Sequence, residues 1–384
     1  MKQEIIYLDN ASTSFPKPES VYAAVENAMR ERCGNPGRSG HKLSLSAGRV
    51  IDETRVLCKR LFNAEAPENI IFTNNTTTAI NIAIKGVINP GDHILTSSLE
   101  HNSVSRPLNY LENTGIEIGK LPADLNCGLN VDDIKKAQRP NTKLLVCTHI
   151  SNVTGTVNDI YSIGSFCREQ GILFLVDAAQ SAGVKLIDVQ KMCVDLLAFP
   201  GHKGLLGPQG TGGLYIRQGL EVNTIIEGGT GSSSEQLSQP RSMPWKFESG
   251  TLNTPGLAGL GAGIQFVLEK GIEQIEKREV FLVNELIHGI KSINGVCMFG
   301  PEPGQNRASV VSIYIDNMSP AEAALMMDTA FNIAVRSGHH CASDAHRAIG
   351  TLDRGGTIRI SPNYFNSEED IKAFLTALEH CTRS

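Results

Sequence analysis

The sequence predicts an α/β protein: a mainly parallel β-sheet covered by helices on both faces, followed by a smaller α+β domain. Three observations carry that prediction. Apolar runs of strand length alternate with helix-period segments through the first two thirds of the chain. These runs are continuously apolar rather than alternating, as expected of strands buried on both faces. After Gly250-Thr251-Leu252-Asn253-Thr254-Pro255 the rhythm changes to two long helical patterns and then to short strands.

Taken in order, the first helical patterns are Glu19–Arg32 and Leu43–Asn63, ahead of the strand Ile70-Ile71-Phe72-Thr73. A helix opens at Thr76-Thr77-Thr78, where small hydroxyl residues suit a helix start. The strand His93–Thr96 leads to a helix near Ser103, and Lys143–Thr148 leads to a helix over Ile160–Glu169. Ile172–Val176 and Leu196–Phe199 are the next strands, each too short and too apolar for a surface helix. Gly228–Pro240 is rich in Gly, Ser, Gln and Pro and predicts a long mobile loop. Helices over Gly256–Glu269 and Ile272–Ile293, a strand Val310–Ile315, a helix Pro320–Thr329, further short strands and a helix from Glu368 complete the chain. The change of rhythm places a large domain at 15–255 and a small one at 256–384, with segment 1–14 packing on the latter.

With 384 residues, two hydrophobic cores are within reach. A net charge of −5 gives no reason to expect nucleic acid or an anionic membrane surface as partner. No apolar run approaches the length of a membrane-spanning helix, and the start, Met1-Lys2-Gln3-Glu4, lacks a signal core; a cytoplasmic location is expected. The nine cysteines are scattered without a close pair, which argues against a disulfide framework or a CxxC zinc site.

Chemistry concentrates just beyond the strands, where ligands of parallel sheets bind. Lys203, in Phe199-Pro200-Gly201-His202-Lys203-Gly204, is a lone lysine among glycines. Burial would lower its pKa and suit it to Schiff-base formation. Asp177 ends a strongly apolar strand and could keep a pyridine nitrogen protonated, with Gln180 near a ring oxygen; capping the next helix would explain it equally well. Thr76 and Thr77 offer hydroxyls and free N–H groups to a phosphate. His101 could stack on an aromatic cofactor, and Asn152 follows another strand. Arg359, in a β-like run, is a natural bidentate clamp for a carboxylate.

Cys341, in Arg336-Ser337-Gly338-His339-His340-Cys341-Ala342, is the thiol whose neighbours Arg336, His339 and His340 favour a thiolate. The set His339, His340, Cys341 and His346 also raises a metal site, but adjacent ligands in one loop make poor tetrahedral geometry, and no metal is expected.

Taken together and in order, Tyr7-Leu8-Asp9-Asn10-Ala11, Thr76-Thr77, Glu100-His101, Asn152, Asp177-Ala178-Ala179-Gln180, Gly201-His202-Lys203, Gly250-Thr251, the Arg336–Cys341 run and Arg359 resemble the class V aminotransferase family. Within it they resemble the cysteine desulfurase and selenocysteine lyase group, most of all its Suf-type branch, where the cysteine loop is short. The resemblance implies a fold type I pyridoxal 5'-phosphate enzyme with a seven-stranded sheet, acting as a homodimer. It implies Lys203 as the cofactor's covalent anchor, Asp177 on the pyridine nitrogen, Gln180 on the ring oxygen, His101 stacked and Asn152 alongside. Thr76, Thr77 and His202 would hold the phosphate, joined by Thr251 of the partner subunit. Arg359 would bind the substrate carboxylate and Cys341 would take sulfur from cysteine as a persulfide, leaving alanine, before passing it to an acceptor such as a protein. A selenocysteine lyase, or a class V transaminase or lyase with an idle Cys341, remains open, as does a non-enzymatic thiol relay or metal-binding module. Pro200, Asn74-Asn75 and Asn102 depart from the residues common in the group.

Overall fold

The computed structural model describes residues 5–37, 39–232 and 235–383. Met1–Glu4, at the start of the segment expected to pack on the smaller domain, and Ser233-Ser234, inside the expected mobile loop, lie outside the described residues.

The strands in chain order are β1 (Ile6–Tyr7), β2 (Ile70–Thr73), β3 (His93–Ser97), β4 (Glu117–Leu121), β5 (Thr142–Thr148), β6 (Leu173–Asp177), β7 (Leu196–Pro200), β8 (Gly212–Ile216), β9 (Val296–Phe299), β10 (Val311–Ile315), β11 (Ile333–Ala334), β12 (Arg336–Gly338) and β13 (Thr357–Ile360). The helices are α1 (Glu19–Glu31), α2 (Lys42–Phe62), α3 (Thr76–Val87), α4 (Asn102–Glu112), α5 (Val131–Ala137), α6 (Ile160–Gln170), α7 (Thr254–Lys270), α8 (Ile272–Lys291), α9 (Pro320–Phe331), α10 (Ser343–Ala348) and α11 (Glu368–Arg383).

Seven strands form one sheet in the order β2-β8-β7-β6-β5-β3-β4. β3 runs parallel to β4 and β5, and β5 parallel to β6 and then β7. β8 is antiparallel to both of its neighbours. Alternate residues of each strand feed opposite cores, as the period of a strand demands. Leu145, Phe174, Val176 and Leu197 join one face, whereas Leu144, Val146, Leu175 and Leu196 join the other. Continuous apolarity in these strands is therefore the sum of two alternating patterns, one for each layer of helices.

A four-stranded antiparallel sheet, β12-β13-β10-β9, packs with α8, α9 and α11 around a separate core that includes Leu8. β1 pairs with β11. α7 lies elsewhere: Leu257, Leu260, Ile264 and Val267 are buried with the core of the seven-stranded sheet. The change of core therefore falls after α7, later than the boundary expected at 255/256, because the apolar stripe of α7 covers the sheet together with α1 and α2. No helix of the described residues is long and apolar enough to cross a membrane.

Candidate active site

The carboxyl ends of the parallel strands meet at one edge of the sheet, and the residues following them line a cavity of about 220 Å³. β2 delivers Asn75, Thr76 and Thr77; β3 delivers His101; β5 delivers Thr148, Ile150 and Asn152; β6 delivers Asp177 and Gln180; β7 delivers His202 and Lys203. Arg336 and His340, from and just beyond β12, and Arg359 of β13 close the opposite wall. Nine of the expected positions thus share one cavity: Lys203, Asp177, Gln180, His101, Asn152, Thr76, Thr77, His202 and Arg359. Cys341 is exposed and outside the lining, and Thr251 is exposed elsewhere on the chain.

Lys203 sits in a tight turn after β7. Leu206 N donates to its carbonyl at 2.8 Å, and the turn presses against the segment after β6. A Cβ on Gly204 would strike the carbonyl of Ala182, and one on Gly183 the carbonyl of Gly204, so glycine is needed on both sides of this contact. Burial, aided by the Arg359 charge, lowers the Lys203 amine to about 8. Asp177 accepts from Ala179 N at 2.9 Å, and burial raises its carboxyl to about 6.

The histidines are uncharged at neutral pH. Burial and the neighbouring Lys203 lower His101 to about 3 and His202 to about 4. His101 caps α4 by accepting from Ser103 N through Nδ1 at 3.0 Å. That bond makes Nδ1 the acceptor, leaving the ring proton on Nε2. Beneath this turn the buried Glu100 accepts from Ser97 Oγ at 2.5 Å and Thr148 N at 3.0 Å, tying β3 to β5. Its carboxyl is pushed by burial to about 8.

At the start of α3, Asn75 fills the cap position, its Oδ1 accepting from Thr78 N at 2.9 Å. The asparagine at this unusual position therefore satisfies one first-turn donor and leaves those of Thr76 and Thr77 facing the cavity side of the helix start. Thr77 Oγ1 shares a hydrogen bond of 2.7 Å with Ser103 Oγ, joining the two helix starts. Pro200 ends β7 opposite Gly212, buried and apart from the cavity lining.

Arg359 is almost wholly buried. Its Nη2 donates to Asp9 Oδ1 and to Ser12 Oγ, both at 2.8 Å, and Nη1 donates to the Asn152 carbonyl at 3.2 Å. The cysteine loop is left-handed at two successive residues, His340 with φ 48° and Cys341 with φ 56°. Asn152 Nδ2 donates to His340 O at 2.8 Å, and Asn102 N donates to Cys341 O at 2.7 Å. Asn102 thereby anchors the loop through its backbone, and its Oδ1 also accepts from Ser343 Oγ at 3.3 Å.

The surroundings of the thiol differ from the expectation. His339 Nε2 bonds to the Leu352 carbonyl at 2.9 Å and His340 Nε2 to Thr357 Oγ1 at 3.0 Å, turning both rings away to β13 and its preceding turn. Arg336 makes the contact instead, with Nη2 3.5 Å from Cys341 Sγ. Among the described residues no group of three or more His, Cys, Asp or Glu side chains is placed to hold a metal ion. All nine cysteines are free thiols, and Cys58, Cys147, Cys167 and Cys381 are buried.

Sequence reasoning left Arg336 as a neighbour of the thiol and missed Ser12 and Ser103 as parts of the cavity wall. Arg336 had a signal, its place in the RxGHHC run; the serines had none beyond lying near Asp9 and His101.

A near-neutral lysine, a buried carboxylate and a helix start at the switch edge of a parallel sheet define a cofactor-dependent α/β enzyme. Comparison with known proteins identifies its family. The class V aminotransferase profile matches residues 6–374, and the chain belongs to that family. A protein of Methanothermobacter thermautotrophicus named as a probable cysteine desulfurase is 39% identical over 379 residues, covering 97% of this chain and 94% of its own. The solved apo structure of a cysteine desulfurase from Thermococcus onnurineus NA1 matches with a TM-score of 0.92 and 33% identity, covering 99% of this chain and 95% of that one. The cysteine desulfurase CsdA of Escherichia coli matches with a TM-score of 0.88 and 28% identity, covering 99% and 95%. The fold is the fold type I architecture of pyridoxal phosphate enzymes.

Enzymes of this family use pyridoxal 5'-phosphate, and the residues present fit it. His202 Nδ1 is buried without a partner beside the start of α3 in the cavity lining, a polar atom left for an outside group such as a phosphate. Lys203 can shed its proton near neutral pH, as a carbonyl-binding amine must. The Asp177 carboxyl lies in the same cavity, suited to a protonated ring nitrogen.

Proposed function

We propose that the protein is a pyridoxal 5'-phosphate-dependent cysteine desulfurase, converting L-cysteine to L-alanine and taking the sulfur onto Cys341 as a persulfide. The observation that carries this reading is a single cavity with a near-neutral lysine and a buried aspartate on one wall, and two arginines leading out to an exposed thiol on the other. Names of relatives over nearly the full chain point the same way.

Lys203 would anchor the cofactor through Nζ, with Asp177 serving the ring nitrogen and Gln180 the ring oxygen. His101 and Asn152 would serve the ring, and Thr76, Thr77 and His202 would hold the phosphate. When bound, the cofactor supplies an electron sink for the pair left on the substrate's α-carbon. Lys203 Nζ takes the α-proton and returns one on the way to product, which its lowered pKa permits. Arg359 and Asn152 orient the substrate carboxylate. The Cys341 thiolate attacks the substrate sulfur: a sulfur–sulfur bond forms, the carbon–sulfur bond breaks with its pair remaining on carbon, and protonation there gives alanine. Arg336 steadies the thiolate through its contact with Sγ.

The cysteine loop spans only His339–Ala342 between β12 and α10, which supports placing the chain with the Suf-type branch. We read the active form as a homodimer with Thr251 of the partner subunit completing the phosphate site. Its support is that Thr251 is exposed and outside the lining of this chain's own cavity, and that Phe15, Tyr22 and Met29 expose an apolar groove. The persulfide then passes to an acceptor thiol, reachable because Cys341 is exposed. A cytoplasmic location is consistent with nine free thiols.

Borohydride reduction of the holoenzyme followed by peptide mapping tests the anchor. The expected label is on Lys203; a label on another lysine, or none, overturns the assignment.

A further inference from the structure

The turn between β3 and α4 carries a chain of hydroxyls that the reaction leaves unused. His101 Nδ1 lies 2.9 Å from Ser103 Oγ and 3.0 Å from Ser103 N. Ser103 Oγ in turn lies 2.7 Å from Thr77 Oγ1. Ser103 is buried, and all three residues line the cavity. The chain therefore runs from a helix start suited to phosphate to the histidine on the neighbouring turn.

Its direction follows from one obligatory donor. Ser103 N–H can only donate, so Nδ1 is an acceptor. A Ser103 hydroxyl turned elsewhere would set lone pair against lone pair at 2.9 Å. With the phosphate site empty, its hydrogen therefore goes to Nδ1. Ser103 Oγ is then free to accept, and Thr77 Oγ1 donates to it, keeping only lone pairs for the cavity. A phosphate brings acceptors alone. Its charge-assisted bond to the Thr77 hydroxyl is about twice as strong as a neutral one, which turns the Thr77 hydrogen outward. The Ser103 hydrogen follows to Thr77 Oγ1, and Nδ1 keeps the Ser103 N–H alone.

The backbone stays fixed whichever way the hydroxyls point. Val104 N and Ser105 N donate to His101 O at 2.8 and 3.1 Å, and Asn102 N donates to Cys341 O at 2.7 Å.

We propose that Ser103 is a positioning residue acting through His101: its hydroxyl donates to His101 Nδ1 when the phosphate site is empty and to Thr77 Oγ1 when it is filled, so that the histidine registers phosphate occupancy. This rests on the reading of Thr76, Thr77 and His202 as the phosphate site.

The test is nitrogen NMR of the full-length, cofactor-free protein labelled at histidine, with and without saturating inorganic phosphate at one pH. His101→Gln and His202→Gln identify the two resonances. In wild type, phosphate should move His101 Nδ1 toward the position of a nitrogen with one donor fewer. Ser103→Ala should hold that position before phosphate is added and then respond only to the direct field of the anion. Thr77→Val leaves the Ser103 hydroxyl no partner to turn to, and should share the wild-type position of the empty site. Ser103→Thr keeps the hydroxyl and should restore the wild-type response. His202, whose Nδ1 is buried without a partner, reports whether phosphate has bound. If His202 moves while His101 shifts equally in wild type and Ser103→Ala, the relay is overturned and the phosphate site stands. Phosphate that moves neither histidine in wild type would refute the phosphate-site reading, and the relay with it.

Discussion

The two walls of the cavity are built by opposite means. The wall from the seven-stranded sheet has its ionisations drawn toward neutral pH by burial: Lys203 is lowered to about 8, Asp177 raised to about 6 and His101 held uncharged, at the ends of buried strands or on the turns just beyond them. The wall from the four-stranded sheet keeps its charge. It presents Arg336 and Arg359 and a loop whose residues His340 and Cys341 both adopt left-handed backbone, at a cost of about 1–2 kcal/mol per residue. That loop is held by Asn102 N and Asn152 Nδ2 of the large domain and, through Asp344 just after it on α10, by Ser105 Oγ at 2.8 Å and Lys120 Nζ at 2.7 Å. The difference separates two tasks. Proton transfer needs groups poised near neutrality in a dry, rigid frame, whereas sulfur transfer needs a reachable thiol beside fixed positive charge.

The comparison can be broken at its strongest point first. Lys203→Met should abolish alanine formation by about 10³-fold or more, because it removes both the anchor and the proton carrier. A milder loss in steady-state assays would shift the proton role to another group. Arg359→Ala tests the charged wall. Cysteine binding should weaken by about 2–5 kcal/mol while the resting cofactor spectrum stays unchanged. An altered spectrum before substrate is added would show that Arg359 serves the cofactor wall as well.

Stability tests the first wall without any chemistry. In the cofactor-free protein the folded-state pKa of Lys203, about 8, lies below its ordinary 10.5. The folded form thus binds fewer protons than the unfolded chain between those values, and stability rises with pH across that window. At pH 7 the buried charge costs the fold, so cofactor-free Lys203→Met should be more stable than wild type by roughly 1–3 kcal/mol. The gain should vanish above pH 10.5 in denaturant titrations. A gain independent of pH would point to packing instead. The smallest effect is expected at the latch: Asp344→Ala should lower alanine production about three-fold through looser placement of Cys341, with cofactor affinity unchanged. A matching fall in cofactor affinity would show that the two walls are not separable.

Much of the first wall was legible in the sequence because each of its residues follows a continuous apolar strand, and the family pattern named the same positions. Three features of the sheet escaped. β8 begins with Gly212-Gly213 and reads as a continuation of the glycine-rich turn, and β4, Glu-Ile-Gly-Lys-Leu, is a polar edge strand without a buried pattern on both faces. α7 reads as the opening of the second domain, although its apolar stripe belongs to the first core. In the second wall, Cys341 and Arg359 were legible by residue type, but their partners were not. Asp9 lies 350 residues from Arg359 and Ser12 lies 324 from Arg336, and no local periodicity carries such pairings. His339 and His340, adjacent to the thiol in sequence, bond instead to Leu352 and Thr357, 13 and 17 residues on, and no local pattern marks those partners.

The most direct test of the account is the fate of the substrate's sulfur in Cys341→Ser. Holoenzyme mixed with L-cysteine should yield alanine together with a persulfide on Cys341, in equal amounts within the first turnover. The Cys341→Ser variant should bind cysteine, with the accompanying change in cofactor absorbance, and release almost no alanine. Alanine output from that variant equal to wild type would contradict the account, since the charged wall would then be facing a thiol that takes no part in the reaction.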